Sequence, residues 1–251
     1  MKTPSFRLDW RRALVTGGSR GIGLAAAHAL AQAGAQVVIA ARSDAELAQA
    51  CAAIEREGGR AQSLCLDVTD SRAVSVAVDA LGPFQILVNS AGMNRPALLS
   101  DTCDADLDTV LELNVKAAFY VTRAVAAGLQ RAGLAGSLIQ VSSQMGHVGG
   151  PRRTLYCATK HALEGFTKAL AWELGASGIR VNTLCPTFIE TDMTRPMFKD
   201  ELFRDYVTSR IALGRIGQLE DIMGSVVFLA SDASSMVTGS ALMVDGGWTA
   251  A

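Results

Sequence analysis

The sequence predicts an α/β fold, a single parallel sheet covered on both faces by helices. Seven short apolar runs, at 13–15, 37–41, 61–66, 86–88, 137–141, 181–184 and 241–244, recur along the chain. They are near-continuously apolar, as strands buried on both faces must be. Longer segments of helical period separate them, which is the rhythm of repeated strand-helix-strand units. A chain of 251 residues buries most of its surface in one core and nothing in it demands a second, so one domain over 1–251 is expected.

The elements follow in order. After the first run comes a glycine-rich turn, Thr16 to Gly23, and then an Ala-rich helix. The second run leads into a helix that opens on a capping box, Ser43 with Glu46. Its apolar stripe is Leu47, Cys51 and Ile54, and Gly58 and Gly59 end it. Later helices are expected from 104 to about 131, from 155 to about 176 and from 219 to about 230. The segment 191–217 carries Pro196, several charges and aromatic residues, and follows a strand whose end should face the ligand crevice. It reads as a substrate lid, with a pair of ordinary surface helices as the plainer alternative.

Composition narrows the function classes. The formal net charge is -1, which gives no electrostatic reason to expect nucleic acid or an anionic membrane surface as a partner. The first ten residues hold no apolar signal segment, and no apolar stretch reaches the roughly 18 residues of a membrane span. A cytoplasmic protein is expected. Five cysteines are scattered without a C-x-x-C pair, so neither a disulfide framework nor a metal site is expected, and small reduced core residues are the better reading.

The chemistry-bearing pattern is centred on Tyr156 and Lys160. Four residues apart on one helix, they share a face, so the ammonium can sit beneath the phenol and favour its ionised form. Ser143, at the end of a strand, can act as a second donor that polarises a substrate oxygen while Tyr156 supplies the proton. In the glycine turn, Gly17, Gly21 and Gly23 supply a tight turn, close backbone approach to a pyrophosphate and close helix packing, with the phosphates on the helix N-terminus. Taken singly, each has a structural explanation: a half-buried helix tyrosine, a solvated lysine, a strand-end cap.

Together with Asp67 and Val68, Asn89 to Gly92, Asn114 and Pro186 to Thr191, these residues resemble the short-chain dehydrogenase/reductase family in order and spacing, across essentially the whole chain. The resemblance implies a Rossmann-type, doubly wound parallel sheet of seven strands, a nicotinamide cofactor, a small-molecule carbonyl or alcohol substrate and a homotetramer. It makes Asn114, Ser143, Tyr156 and Lys160 the catalytic set, Asn114 keeping a water in a proton relay to the lysine. Lys160 would also hold the nicotinamide ribose. By the same resemblance, Gly17, Ser19, Arg20, Gly21, Ile22, Gly23, Arg42, Asp67, Val68, Asn89, Ala91, Gly92, Pro186, Ile189 and Thr191 line the cofactor. Two departures stand out: Ser90 replaces the usual second Asn, and Thr187 replaces the usual Gly, adding bulk beside the nicotinamide.

The end of the second strand, Ala41 to Ser43, offers Arg42 and no carboxylate at the usual place. With Arg20 as a second cation, this favours NADP (NADPH) over NAD, with Asp44 the residue that argues against it. For the substrate, Arg95, Gln144, Met145 and Phe188 are candidate contacts, Arg95 as a handle for a carboxylate. His147, Arg152, Arg153 and Trp248 are further pocket candidates. The C-terminal half is similar to gluconate, sugar and polyol dehydrogenases of the family, so a sugar acid, sugar or polyol is expected. A 3-oxoacyl carrier-protein reductase, with Arg123, Arg131, Arg152 and Arg153 as a basic patch, is the alternative; a catalytically silent NADP(H)-binding module is the alternative of another class.

Overall fold

The computed structural model describes residues 1–250. Strands and helices alternate: β1 (Arg12–Thr16), α1 (Gly21–Gln32), β2 (Gln36–Ala41), α2 (Asp44–Arg56), β3 (Arg60–Cys65), α3 (Ser71–Leu81) and β4 (Ile86–Asn89) form the first half. The second half holds α4 (Asp104–Leu111), α5 (Ala117–Ala132), β5 (Gly136–Val141), α6 (Thr154–Leu174), β6 (Ile179–Pro186), α7 (Glu201–Ser209), α8 (Glu220–Ala230) and β7 (Ala241–Val244). All strand pairs are parallel, in the order β3-β2-β1-β4-β5-β6-β7. This is the seven-stranded, doubly wound sheet that was expected.

Strand alternation divides the core into two layers. Val15, Ile39 and Val88 pack against Leu30 of α1, Leu47 and Ile54 of α2, and Ile222, Val226 and Leu229 of α8. Their neighbours Leu14, Val38 and Leu87 face the other way, onto Val74 and Val78 of α3, Val121, Val125 and Leu129 of α5, and Leu174 of α6. Each of these side chains contributes roughly 1.5–3 kcal/mol by leaving water, so a strand slipped by one residue would invert both layers.

Three elements differ from expectation. The helix expected from 104 to about 131 is broken by a π-helical segment, Glu112–Lys116. The wider turn falls on Asn114, whose amide is drawn into bonds with Met93 and Thr159. α3 has no counterpart among the expected helices: its buried face is only Val74 and Val78, and Asp70 caps it by accepting from the N–H groups of Arg72 and Ala73. At α2, Ser43 caps Glu46 as expected, yet the Glu46 carboxylate does not return to the cap. It accepts from the Ser19 hydroxyl at 2.8 Å instead. The cysteines also divide. Cys185 is fully buried, but Cys65, on the edge strand β3, and Cys103, ahead of α4, are exposed, because both positions lie outside the two core layers.

Candidate active site

Strand order reverses between β1 and β4, and the chain leaves both at their C-terminal ends, which opens a crevice there. Gly17 follows β1 with φ of 61°, and a Cβ on it would stand 2.8 Å from the Ala91 backbone beyond β4. Only glycine allows the two turns to meet this closely. Thr16 ties them together: its hydroxyl donates to Asn89 Oδ1 and accepts from the N–H groups of Ser90 and Ala91. Asn89 is fully engaged in the sheet, its amide donating to Ala118, Thr122 and Gln140, so it supports the floor of the crevice.

Around this crevice lie the residues expected at a dinucleotide. Ser19, Arg20, Gly21, Ile22 and Gly23 form the turn into α1, Gly21 facing Thr191 across the gap. Arg42 is exposed directly after β2, whereas Arg20 lies 3.7 Å from Glu46 and is partly neutralised. Asp67 caps its own turn through Thr69, which holds its carboxyl below the ordinary carboxylate value, while Val68 is buried beside it. Pro186, Thr187 and Ile189 leave the end of β6, and Thr187 Oγ1 is buried without a hydrogen-bond partner. An orphaned hydroxyl and a glycine-lined cleft at a helix N-terminus fit a nicotinamide dinucleotide. A cavity of about 560 Å³ lies elsewhere, beside Arg7, Trp10 and Arg60 at the opposite ends of the strands. It gathers none of these residues.

The structure brings Ser143, Tyr156, Lys160 and Asn114 to the C-terminal end of β5. Lys160 Nζ lies 5.5 Å from the Tyr156 ring centre and donates to the Val141 carbonyl at 2.8 Å. Burial pushes this ammonium down to about 8. Burial likewise pushes the Tyr156 phenol up to about 12, opposed by its interaction with Ser143 and by the Arg153 guanidinium. The help expected from Lys160 falls instead to Ser143 and Arg153, and desolvation outweighs them. Asn114 accepts from the Met93 N–H at 2.8 Å and donates to the Met93 carbonyl at 2.9 Å. A Cβ at Gly92 would lie within 3.3 Å of Asn114 Oδ1 and 3.9 Å of Lys160 Nζ, so glycine there keeps open the space between them.

The expected substrate residues fall into different settings. Ser143 donates to Gln144 Oε1 at 2.7 Å, which makes the buried Gln144 an orienting partner of Ser143. Met145 is buried against Cys157. The Arg95 guanidinium, expected to hold a carboxylate, is paired with Asp106 of α4 at 3.1 Å. Phe188 packs on Phe198, Phe203 and Trp248, with ring centres 5.7–6.2 Å apart. Arg153 carries more than its place in the sequence signalled. It caps α6 directly after Arg152, which is held at φ of 60°, and it is half-buried near Tyr156, burial lowering its affinity for its proton.

A family model described as Enoyl-(Acyl carrier protein) reductase matches residues 17–249. The gluconate 5-dehydrogenase of Gluconobacter oxydans (strain 621H) is 42% identical over 248 residues, 97% of this chain and 96% of its own length. The D-erythrulose reductase of Gallus gallus is 39% identical over 245 residues, 98% of each chain. The crystal structure of a gluconate 5-dehydrogenase from Burkholderia cenocepacia J2315, in complex with NADP and tartrate, superposes with a TM-score of 0.94 at 38% identity, covering 98% of each chain.

Proposed function

This chain belongs to the short-chain dehydrogenase/reductase family, and from that premise we propose that it reduces the keto group of a polyhydroxylated acid with NADPH. It is an NAD(P)-dependent oxidoreductase acting on a carbonyl or secondary alcohol. The nicotinamide, when bound, supplies hydride to the carbonyl carbon. Tyr156 gives its proton to the carbonyl oxygen, and Ser143 turns its hydroxyl from Gln144 to the same oxygen. Lys160 stabilises the phenolate left behind, and Asn114 orders the route by which the proton is replaced. Arg42, exposed and in no salt bridge among the described residues, though close enough to Asp67 to favour its carboxylate, is assigned to the 2′-phosphate of NADP; the NADP in the Burkholderia structure supports this.

The observation that carries the substrate class is Arg153. Arg95 already has a carboxylate in Asp106, whereas the half-buried Arg153, three residues before Tyr156, has no acidic partner among the described residues. A partly desolvated guanidinium without a counter-charge is a site for one, and a substrate carboxylate supplies it bidentately. The tartrate of the Burkholderia relative is a molecule of that kind. Segment 191–217 acts as the lid, its Phe198 and Phe203 packing on Phe188 and its Tyr206 on Trp248. A homotetramer is proposed through the face where Phe119 of α5 and Phe166 of α6 pack together at 5.4 Å, with Trp172 of α6 left 91% exposed. Five cysteines without disulfides support a cytoplasmic setting.

The test is NADPH oxidation across keto sugar acids, neutral ketoses and 3-oxoacyl thioesters. Keto sugar acids are expected to give the highest kcat/KM, and Arg153→Leu to lower it about 100-fold on acids while changing neutral ketoses by less than about 3-fold. Equal loss on both, or preference for thioesters, would refute the acid reading.

A further inference from the structure

We propose that His147, Glu164 and Cys185 form a binding site for a divalent transition cation of the zinc class, in the wall behind Ser143. The three residues come from separate elements. His147 follows the short turn Gln144–Gly146, Glu164 lies on α6 one turn beyond Lys160, and Cys185 is the last residue but one of β6. Their ligand atoms all lie within 4.8 Å of one another.

The geometry matches the metal. Glu164 Oε1 is 3.4 Å from His147 Nε2 and 3.4 Å from Cys185 Sγ, and Sγ is 3.5 Å from Nε2. Bonds of about 2.0–2.1 Å to nitrogen and oxygen and about 2.3 Å to sulfur, at tetrahedral angles, put ligand atoms roughly 3.3–3.6 Å apart. All three edges of one tetrahedral face are therefore in place without movement of the chain.

The surroundings favour a cation as well. Glu164 and Cys185 are buried, and a buried carboxylate calls for positive charge. The Thr183 hydroxyl donates to Glu164 Oε2 at 2.9 Å, fixing the carboxylate so that Oε1, the other oxygen, faces the histidine and the thiol. That is how an outer partner orients a metal ligand. Ser142 Oγ, buried without a hydrogen-bond partner, adjoins the cluster: a Cβ at Gly146 would lie 2.9 Å from it and 3.2 Å from Glu164 Oε1. The glycine keeps that space clear. His147 leaves 30% of its side chain exposed, a path by which a water completes the fourth position. Bound metal would join the turn after Ser143 to α6 and β6, so its place is structural support of the reacting centre.

The experiment is titration of chelator-treated protein with zinc chloride by calorimetry, and with cobalt(II) by absorption. One zinc per chain is expected, together with a cobalt spectrum showing thiolate charge transfer and tetrahedral bands. Cys185→Ala should abolish the charge-transfer band and weaken zinc at least about 100-fold, and His147→Ala at least about 10-fold. Cys65→Ser with Cys103→Ser, which removes the exposed thiols, should change neither. His147 is partly exposed, so its variant decides the matter even where Cys185→Ala does not fold. Absence of stoichiometric zinc, a band surviving Cys185→Ala, unchanged zinc affinity in His147→Ala, or a band lost with the exposed thiols would each overturn the site.

Discussion

Lys160 reaches from α6 to donate a 2.8 Å hydrogen bond to the carbonyl of Val141, the last residue of β5. Ser143 lies two residues further along the same chain, so one strand end anchors the lysine and carries the serine. The anchoring leaves the ammonium buried, with consequences for stability.

Burial lowers Lys160 from 10.5 to about 8. Between those values the unfolded chain binds the proton and the folded chain does not, so stability rises with pH across this window. The gain is on the order of 3 kcal/mol, absent below about 8. Tyr156 acts with the opposite sign above its ordinary value of 10, because its folded value is about 12. Urea midpoints of chelator-treated wild type minus those of Lys160→Met should therefore climb from about pH 7 to about pH 10. A flat difference would contradict the buried charge.

Tyr156→Phe keeps the ring beneath which Lys160 sits and removes only the hydroxyl proposed as proton donor. Turnover is expected to fall at least about 10³-fold, with NADPH affinity by fluorescence titration within about 3-fold of wild type. Retained turnover would assign the proton to another group.

Asn114→Ala leaves the Met93 N–H and carbonyl without their side-chain partner. A loss of about 2 kcal/mol in urea unfolding is expected, with kcat falling more than KM rises. Loss of stability with unchanged kcat would make Asn114 purely structural.

Arg42→Ala removes an exposed cation that forms no salt bridge among the described residues, though it lies close enough to Asp67 to favour its carboxylate. The Kd for NADPH should weaken about 10- to 100-fold while that for NADH stays within about 3-fold. Equal loss for both would place the phosphate elsewhere.

Much of this was legible in the sequence because it is local. The seven apolar runs became the seven strands, and Tyr156 and Lys160 share a helical face by spacing alone. Three features were hidden because they depend on distant residues. Asn114 bends its helix into a π segment only once Met93 is beside it. Arg95 is neutralised by Asp106, a partner on a helix whose orientation the sequence does not state. His147, Glu164 and Cys185 have no ligand spacing along the chain, and only the packing of α6 and the turn after Ser143 against β6 brings them within reach. The desolvation that raises Tyr156 is likewise a property of the packed protein.

The ring cluster at the end of β6 gives the protein an optical reporter. Trp10 is 75% exposed and Trp172, on the face proposed for assembly, is 91% exposed in the single chain; among the described residues neither packs on the ring cluster. Trp248 alone is set among aromatic rings, 5.7 Å from Phe188 and 6.4 Å from Tyr206. If 191–217 opens as the proposed lid, Tyr206 leaves that indole and water enters, so the blue edge of the emission would follow this segment. Stopped-flow fluorescence of the unlabelled wild type would thus time the proposed opening separately from the absorbance change of the nicotinamide.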